Sequence, residues 1–127
     1  MTSKENSLNW FEISVSDINR AKKFYETIFG IEMPQQTMME MEMAFFPYEP
    51  GSGRASGCIC QSQMHKPSDD GVKIYLNGNP DLANALSKIE AAGGKIVMPK
   101  TKISDEIGYM AFFNDTEGNT VALHSQK

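Results

Sequence analysis

One pattern, a strand followed by a helix, occurs twice in the 127-residue chain, and this repeat limits the fold more than any single motif does. The two strand segments read WFEISV and VKIYLN. The helix that follows extends from Asp17 to Gly30 in the first copy and from Asp81 to Gly94 in the second, a separation of 64 positions. Such a repeat predicts two copies of one supersecondary unit that bury their apolar faces against each other.

A capping site and an apolar stripe predict the first helix. Ser16 or Asp17 can accept hydrogen bonds from the free N–H groups of the first helical turn. Gly30 can adopt the left-handed conformation that commonly ends a helix. Buried positions are predicted where apolar residues recur at helical spacing, at Ile18, Ala21, Tyr25 and Ile28.

The second helix shows the same kinds of signal. Asn79 is a candidate cap, and Pro80 suits the first helical position because its missing N–H would have no partner there. Gly93 and Gly94 are expected to end this helix. Its predicted buried face consists of Leu82, Ala85, Leu86 and Ile89.

Strand segments complete each copy of the repeat. In the second copy they read GKIVM, GYMAFFN and TVALHS, which are rich in β-branched and aromatic residues. In the first copy, MMEMEMAFF at 38–46 alternates strictly, which predicts one strand with Met on one face and Glu on the other. We therefore predict a single-domain α+β fold with two paired βαβββ modules, about 8–64 and about 72–125, that form a half-barrel cavity.

The composition argues against several classes of partner. A net charge of −4 and a pI near 5.1 disfavour nucleic-acid binding, because phosphate contact needs a basic face. The first residues lack the basic and apolar regions of a signal peptide, and no apolar run approaches the roughly 20 residues that span a bilayer. We therefore expect a cytoplasmic protein without nucleic-acid or membrane partners, in which Cys58 and Cys60 are reduced.

Three segments resemble the glyoxalase / bleomycin-resistance / dioxygenase superfamily, also called vicinal oxygen chelate proteins. They read FEISVSDINRAKKFYETIFG, DLANALSKIEAAGGKIV and GYMAFFNDTEGNTVALHS, and with the internal duplication the likeness covers nearly the whole chain. The resemblance implies paired modules and a homodimer. It leaves the function open, because the superfamily includes lyases, isomerases, dioxygenases and non-catalytic drug binders.

Alternation along the strands predicts which side chains face the cavity. In the first strand, Phe11, Ile13 and Val15 form the apolar face that packs beneath the helix, so the intervening residues face the other way. The same reasoning applies to the strands at 72–77 and 120–125. The predicted cavity-facing residues include Trp10, Glu12, Lys73, Tyr75, Ala122 and His124.

The resemblance also implies where a divalent metal would be bound in the metal-dependent relatives. Their ligands, drawn from His, Gln and Glu, match Trp10, Lys73 and Ala122, with a fourth at Cys58 or Cys60. An indole and a methyl group cannot bind a metal ion, and an ammonium group must first lose a proton. We therefore expect no metal cofactor at the positions that the family uses.

Glu12 and His124 are the candidate catalytic residues. Glu12 on a concave strand face is costly to bury without water, a ligand or a partner such as Lys73. His124 could act as a general base with Glu12, or only form a hydrogen bond, whereas His65 in the polar linker is expected to be solvated. The candidate ligand-binding residues are Trp10, Lys73, Tyr75, Cys58, Cys60 and Ala122.

Three functions remain open from the sequence. The first is a glyoxalase-like lyase or isomerase that acts on a small organic molecule without the usual metal. The second is a non-catalytic protein of the bleomycin-resistance type that sequesters a small organic ligand. The third is a divalent-metal-dependent lyase or dioxygenase with shifted ligands, for example Glu12, His124 and a cysteine.

Overall fold

The computed structural model describes residues 1–127, which form two helices and eight strands. In chain order the elements are β1 (Trp10–Ser14), α1 (Ile18–Phe29), β2 (Gln35–Met38), β3 (Met41–Phe45), β4 (Ser56–Gln61), β5 (Tyr75–Asn77), α2 (Ala83–Ile89), β6 (Lys95–Ser104), β7 (Gly108–Asn114) and β8 (Thr120–Ser125). The order is βαβββ followed by βαβββ. The predicted α+β class and the paired modules are therefore confirmed.

Each module has its own four-stranded sheet with the same topology. The first sheet has the order β1-β4-β3-β2 and the second has the order β5-β8-β7-β6. In each sheet the strand before the helix pairs in parallel with the last strand of the module, and the other pairs are antiparallel. The two sheets do not close on each other, as expected for half-barrel modules.

Helix α1 begins and ends where its sequence predicts. Asp17 is the N-cap, and its carboxylate accepts hydrogen bonds from the N–H groups of Asn19 and Arg20. Gly30 ends the helix with a φ of 62°, a left-handed conformation that a glycine adopts without steric cost. The predicted stripe, Ile18, Ala21, Tyr25 and Ile28, is buried.

Helix α2 begins later than its sequence predicts. Its first residue is Ala83, so Pro80 precedes the helix and does not occupy its first position. The side chain that serves the first turn is Asp81, whose Oδ1 accepts a hydrogen bond of 2.9 Å from the Ala83 N–H. Asn79 instead accepts a hydrogen bond from the Gln126 N–H near the end of the chain. The predicted capping role of Asn79 is therefore wrong.

Both helices are short. Helix α1 has 12 residues and α2 has 7. A membrane-spanning helix needs about 20 apolar residues. Neither helix has the length and hydropathy required to cross a membrane.

The alternating segment at 38–46 folds as a hairpin, so the prediction of one continuous strand is wrong. Met38 pairs with Met41, which leaves Met39 and Glu40 as a two-residue turn between β2 and β3. Their φ angles of 52° and 62° match the turn type that two-residue hairpins favour. Of the alternating residues in this segment, only those in β3 keep the predicted faces.

One core joins the two modules. Its 20 buried residues come from both helices and both sheets, and α1 packs against α2 within it. Ile13 and Val15 of the first module and Leu76, Val121 and Leu123 of the second all contribute, as the strand alternation predicts. The sheet faces opposite the helices lie outside this core.

Candidate functional site

The first sheet has a second apolar cluster on its concave face, separate from the main core. Met43, Cys58 and Cys60 are buried there, and half-buried apolar side chains pack over them. We call this surface the first-sheet concave face, and its residues are Trp10, Met41, Met43, Phe45, Cys58 and Cys60. Strand pairing explains the cluster, because Phe45 of β3 lies opposite Cys58 of β4 and Met43 lies opposite Cys60. Trp10, Cys58 and Cys60, three of the candidate ligand-binding residues, therefore lie on the same sheet face.

Aromatic rings form one edge of the first-sheet concave face. The Trp10 and Phe45 ring centroids are 6.0 Å apart, and the Trp10 and Tyr48 centroids are 5.6 Å apart in an edge-on arrangement. Trp10 is half-buried, whereas Tyr48 is 52% exposed. These rings offer a planar or apolar molecule a surface that is already assembled.

The two cysteines of this face are free, fully buried thiols. Burial is the main cause that raises the pKa of Cys58 to about 12, and the Glu12 carboxylate adds to this effect. Burial and the same carboxylate also raise the pKa of Cys60. Both thiols are therefore neutral near pH 7 and are weak nucleophiles in this state.

A cluster of polar side chains adjoins the first-sheet concave face. His65 Nε2 lies 2.9 Å from Glu12 Oε1, and the other ring nitrogen, Nδ1, lies 2.7 Å from Ser62 Oγ. Cys60 Sγ lies 3.6 Å from the same Nδ1. The Glu12 side chain is 36% exposed and that of His65 is 13% exposed, so water reaches one side of the cluster.

The hydrogen bonds of this polar cluster determine the tautomer of neutral His65. An ionised carboxylate can only accept a hydrogen bond, so the proton is on Nε2, which donates to Glu12. Nδ1 then has its lone pair free to accept from the Ser62 hydroxyl or the Cys60 thiol. Ser62 Oγ in turn accepts from the Met64 N–H at 3.1 Å. The ring therefore presents a basic nitrogen to Ser62 and Cys60.

The prediction that His65 is solvated is wrong. The chain reverses direction after β4, where Ser62 and His65 form an isolated bridge and the His65 N–H donates to the Ser62 carbonyl. This reversal turns the ring back towards Glu12 on β1. The sequence offers one local signal, Ser62, because a serine hydroxyl often accepts a hydrogen bond from the backbone two residues on in a turn, as it does here from the Met64 N–H.

His124 does not contact Glu12. It lies on β8 in the second sheet, opposite Met110, and its Nε2 is 2.7 Å from the Ile107 carbonyl oxygen. The structure therefore does not bring these two predicted catalytic residues together, because each sheet has its own concave face. A separate acid–base role for His124 remains a prediction.

The predicted binding residues of the second sheet form a different surface. Tyr75 is 50% exposed, and its ring centroid is 5.9 Å from that of Phe112. Ala122 is fully buried between their strands. Lys73 is exposed and donates to the Asp69 carbonyl oxygen at 3.2 Å, so the ion pair considered between Lys73 and Glu12 is not formed.

A cavity of about 180 Å³ lies where β1 of the first module meets the chain that leads to β8 of the second. Glu12 and Ser14 line one side, and Lys66, Asp70 and Asn119 contribute polar groups. Of the predicted site residues, only Glu12 lines this cavity. Typical pockets for drug-sized ligands measure about 300–1,000 Å³, so this cavity by itself accommodates only a small polar group.

The metal site that the resemblance implies does not fit the residues present. Trp10 and Ala122 have no metal-binding atom, and the Lys73 ammonium donates a hydrogen bond to a carbonyl oxygen. The fourth implied ligand is either Cys58 or Cys60, so one thiol is the remaining donor among the implied positions. A single thiol is too few protein ligands to hold a divalent ion.

Comparison with known proteins identifies a family. The model described as Glyoxalase/Bleomycin resistance protein/Dioxygenase superfamily matches residues 7–123. The chain is 29% identical over 119 residues to a glyoxylase-like domain-containing protein of Didymella fabae, covering 91% of each chain. This agreement covers both modules.

Solved structures share the fold at low sequence identity. A glyoxalase/bleomycin resistance protein from Albidiferax ferrireducens superposes with a TM-score of 0.71 at 17% identity, covering 96% of this chain and all of the other (100%). An antibiotic binding protein from a Streptomyces species superposes with a TM-score of 0.65 at 18% identity, covering 99% of this chain and 100% of that one. At this level of identity the likeness supports the architecture alone.

Proposed function

Because the chain belongs to the glyoxalase/bleomycin resistance protein/dioxygenase superfamily, we propose that it binds a small organic molecule against its first-sheet concave face. The observation that supports this most directly is the separate cluster of Trp10, Met41, Met43 and Phe45 over two buried thiols. Methionine side chains adapt to varied ligand shapes, and aromatic rings bind planar ones. In this proposal the ligand is held without the metal that other members of the family use.

The polar cluster supplies the orienting group for this ligand. Glu12 lies beside the apolar surface, is partly exposed and is paired with His65. A carboxylate next to aromatic rings suits a planar molecule that carries an amine or another hydrogen-bond donor. The net charge of −4 also favours the approach of a cationic ligand. An antibiotic binding protein with the same fold is consistent with such a role.

A second candidate function is proton transfer in a lyase or isomerase reaction. The hydrogen bond of 2.9 Å between Glu12 and His65 favours it, because a carboxylate–imidazole pair can accept and return a proton. Glu12 also lines the small polar cavity, where part of a substrate could reach it. This function would use the same ligand surface.

A homodimer and a cytoplasmic location remain part of the proposal.

Ligand screening with fluorescence detection tests the binding proposal. Trp10 is the only tryptophan in the chain, so a ligand on the first-sheet concave face should change the intrinsic emission as it saturates. Planar aromatic amines form the first panel, and thermal shift assays provide an independent measure of binding. Hits that stabilise the protein without altering Trp10 emission would place the ligand elsewhere.

The module repeat provides a matched control for this assay. Phe45 lies opposite Cys58 in the first sheet, and Phe112 lies opposite Ala122 at the corresponding place in the second. Both rings are half-buried. Phe45→Ala should weaken ligand binding by about tenfold through lost contact, and Phe112→Ala should leave it nearly unchanged. The reverse pattern would assign the ligand to the second sheet and contradict the proposal.

A further inference from the structure

We propose that Cys60 and His65 bind a zinc ion, with Glu12 holding the histidine ring from its far side. These three residues place one thiol, one imidazole and one carboxylate within 4.8 Å of one another. Cys60 is one of the two cysteines where the resemblance implies a family ligand, whereas Glu12 and His65 are at none of the implied positions. The inference does not depend on the organic ligand, because it uses only side chains of the polar cluster.

The distance between the two inner ligands is the first argument. Cys60 Sγ and His65 Nδ1 are 3.6 Å apart. In tetrahedral coordination, with Zn–S about 2.3 Å and Zn–N about 2.0–2.1 Å, the sulfur and nitrogen atoms are also about 3.6 Å apart. The two atoms therefore already have the separation that a shared zinc ion requires.

The orientation of the imidazole is the second argument. A metal-binding histidine usually donates its other N–H to a carboxylate, which fixes the ring and raises its basicity. His65 Nε2 makes this contact with Glu12 Oε1 at 2.9 Å. The tautomer that results leaves the Nδ1 lone pair directed towards Cys60 and Ser62, as zinc binding needs.

The surroundings leave room for further ligands. Ser62 Oγ is 2.7 Å from Nδ1 and would give up that hydrogen bond when the metal binds. The Glu12 and His65 side chains are partly exposed, so water would supply the remaining ligands beside Cys60 Sγ and His65 Nδ1. A mixed sulfur and nitrogen donor set selects zinc over magnesium or calcium, which prefer oxygen ligands.

Cobalt substitution tests this zinc site directly. Adding Co²⁺ to the reduced 127-residue protein should produce a near-ultraviolet sulfur-to-cobalt charge-transfer band that saturates at one ion per chain, and Zn²⁺ should abolish it by displacement. Cys60→Ser should remove the band. Cys58→Ser, a change of the other buried thiol on the same strand face, should retain it. Absence of the band in the unchanged protein, or its loss in Cys58→Ser only, would overturn the assignment.

Substitutions at His65, His124 and Glu12 test which residues bind the metal directly and which one only holds the imidazole ring. His65→Gln should weaken Co²⁺ affinity by at least about tenfold, whereas His124→Gln in the second sheet should leave it unchanged. Glu12→Gln should retain the charge-transfer band but weaken affinity by about 10–100-fold, as loss of an outer carboxylate typically does. An unchanged affinity in Glu12→Gln would overturn its role in holding the ring.

A measurement on the unchanged protein covers the case in which a cysteine variant fails to fold. Zinc K-edge X-ray absorption of the zinc-loaded chain should show one sulfur together with nitrogen or oxygen neighbours. A first shell with no sulfur would exclude Cys60. A first shell with two sulfurs would bring in Cys58 and overturn the proposed ligand set.

Discussion

At the scale of single residues, the sequence predicts which sheet face Glu12 occupies but not which residue forms a hydrogen bond with it. Strand alternation correctly places Trp10 and Glu12 on the face opposite the helix, because that face depends only on residue order within β1. The partner of Glu12 could not be predicted in this way. His65 reaches Glu12 only because the chain reverses after β4, and no strand or helix pattern covers that segment.

Glu12→Gln separates the two candidate functions at this scale. A ligand found by the Trp10 assay is incubated with the protein in D₂O, and NMR follows the exchange of its carbon-bound protons. For proton transfer by Glu12, exchange with the unchanged protein should fall by roughly 10²–10⁴-fold in Glu12→Gln, with the dissociation constant altered far less. His124→Gln is the control, and exchange that depends on His124 instead would identify the other candidate base.

A protein that only binds its ligand gives a different result in the same experiment. The unchanged protein then catalyses no exchange, and Glu12→Gln weakens ligand binding through the loss of one charged hydrogen bond, about 1.5–3 kcal/mol. The conservative amide keeps the shape of the side chain. The change in exchange rate therefore reports on chemistry, and the change in affinity reports on recognition.

At the scale of elements, α1 was predictable and the β2–β3 hairpin was not. Asp17 and Gly30 mark the ends of α1 through local chemistry, a carboxylate cap and a left-handed glycine. The hairpin has no such marker, because Met39 and Glu40 continue the alternation of the strands on either side. Sequence patterns based on turn residues do not detect a turn that lacks Gly, Asn and Pro.

The hairpin turn predicts a stabilising substitution. Met39 and Glu40 have positive φ angles, which cost a residue with a Cβ atom roughly 1 kcal/mol or more. The double change Met39→Asn and Glu40→Gly installs the residues that this turn type favours, and Met39 is 83% exposed, so little packing is lost. We expect the free energy of unfolding to rise by about 1 kcal/mol in urea denaturation, after the entropy cost of glycine is included.

A control distinguishes the turn from general effects of methionine replacement. Met64 is 91% exposed and its φ angle is not positive, so Met64→Asn should change stability by less than about 0.5 kcal/mol. If the double change at the turn has no larger effect than Met64→Asn, the positive φ angles do not destabilise the hairpin.

At the scale of the whole molecule, the repeat predicts two like modules, and the structure shows how they are joined. Glu117, in the turn between β7 and β8, accepts hydrogen bonds from the N–H groups of Ser16 and Asp17 at 2.9 and 2.8 Å. It also accepts from the Arg20 guanidinium at 2.7 Å. Glu117 therefore links the second module to the beginning of α1 in the first, a contact that no repeat period could predict.

The ionisation of Glu117 makes this link dependent on pH. Burial alone would oppose ionisation, but the Arg20 guanidinium and the Asp17 N–H outweigh it and lower the pKa of Glu117 below 4.5. The unfolded chain takes up this proton near pH 4.5 while the folded chain does not. The stability that Glu117 contributes is therefore present above pH 4.5 and is lost as the pH falls through the folded pKa.

Glu117→Gln should destabilise both modules together. Its side chain is fully buried and loses its charge-assisted hydrogen bonds, so we expect about 2 kcal/mol less stability near neutral pH, and less dependence on pH below 4.5. Because one core spans both modules, Trp10 fluorescence in the first and hydrogen exchange of β8 in the second should report the same loss. Glu106→Gln, an exposed change of equal charge, should have little effect. A loss confined to β8 would show that the modules unfold separately.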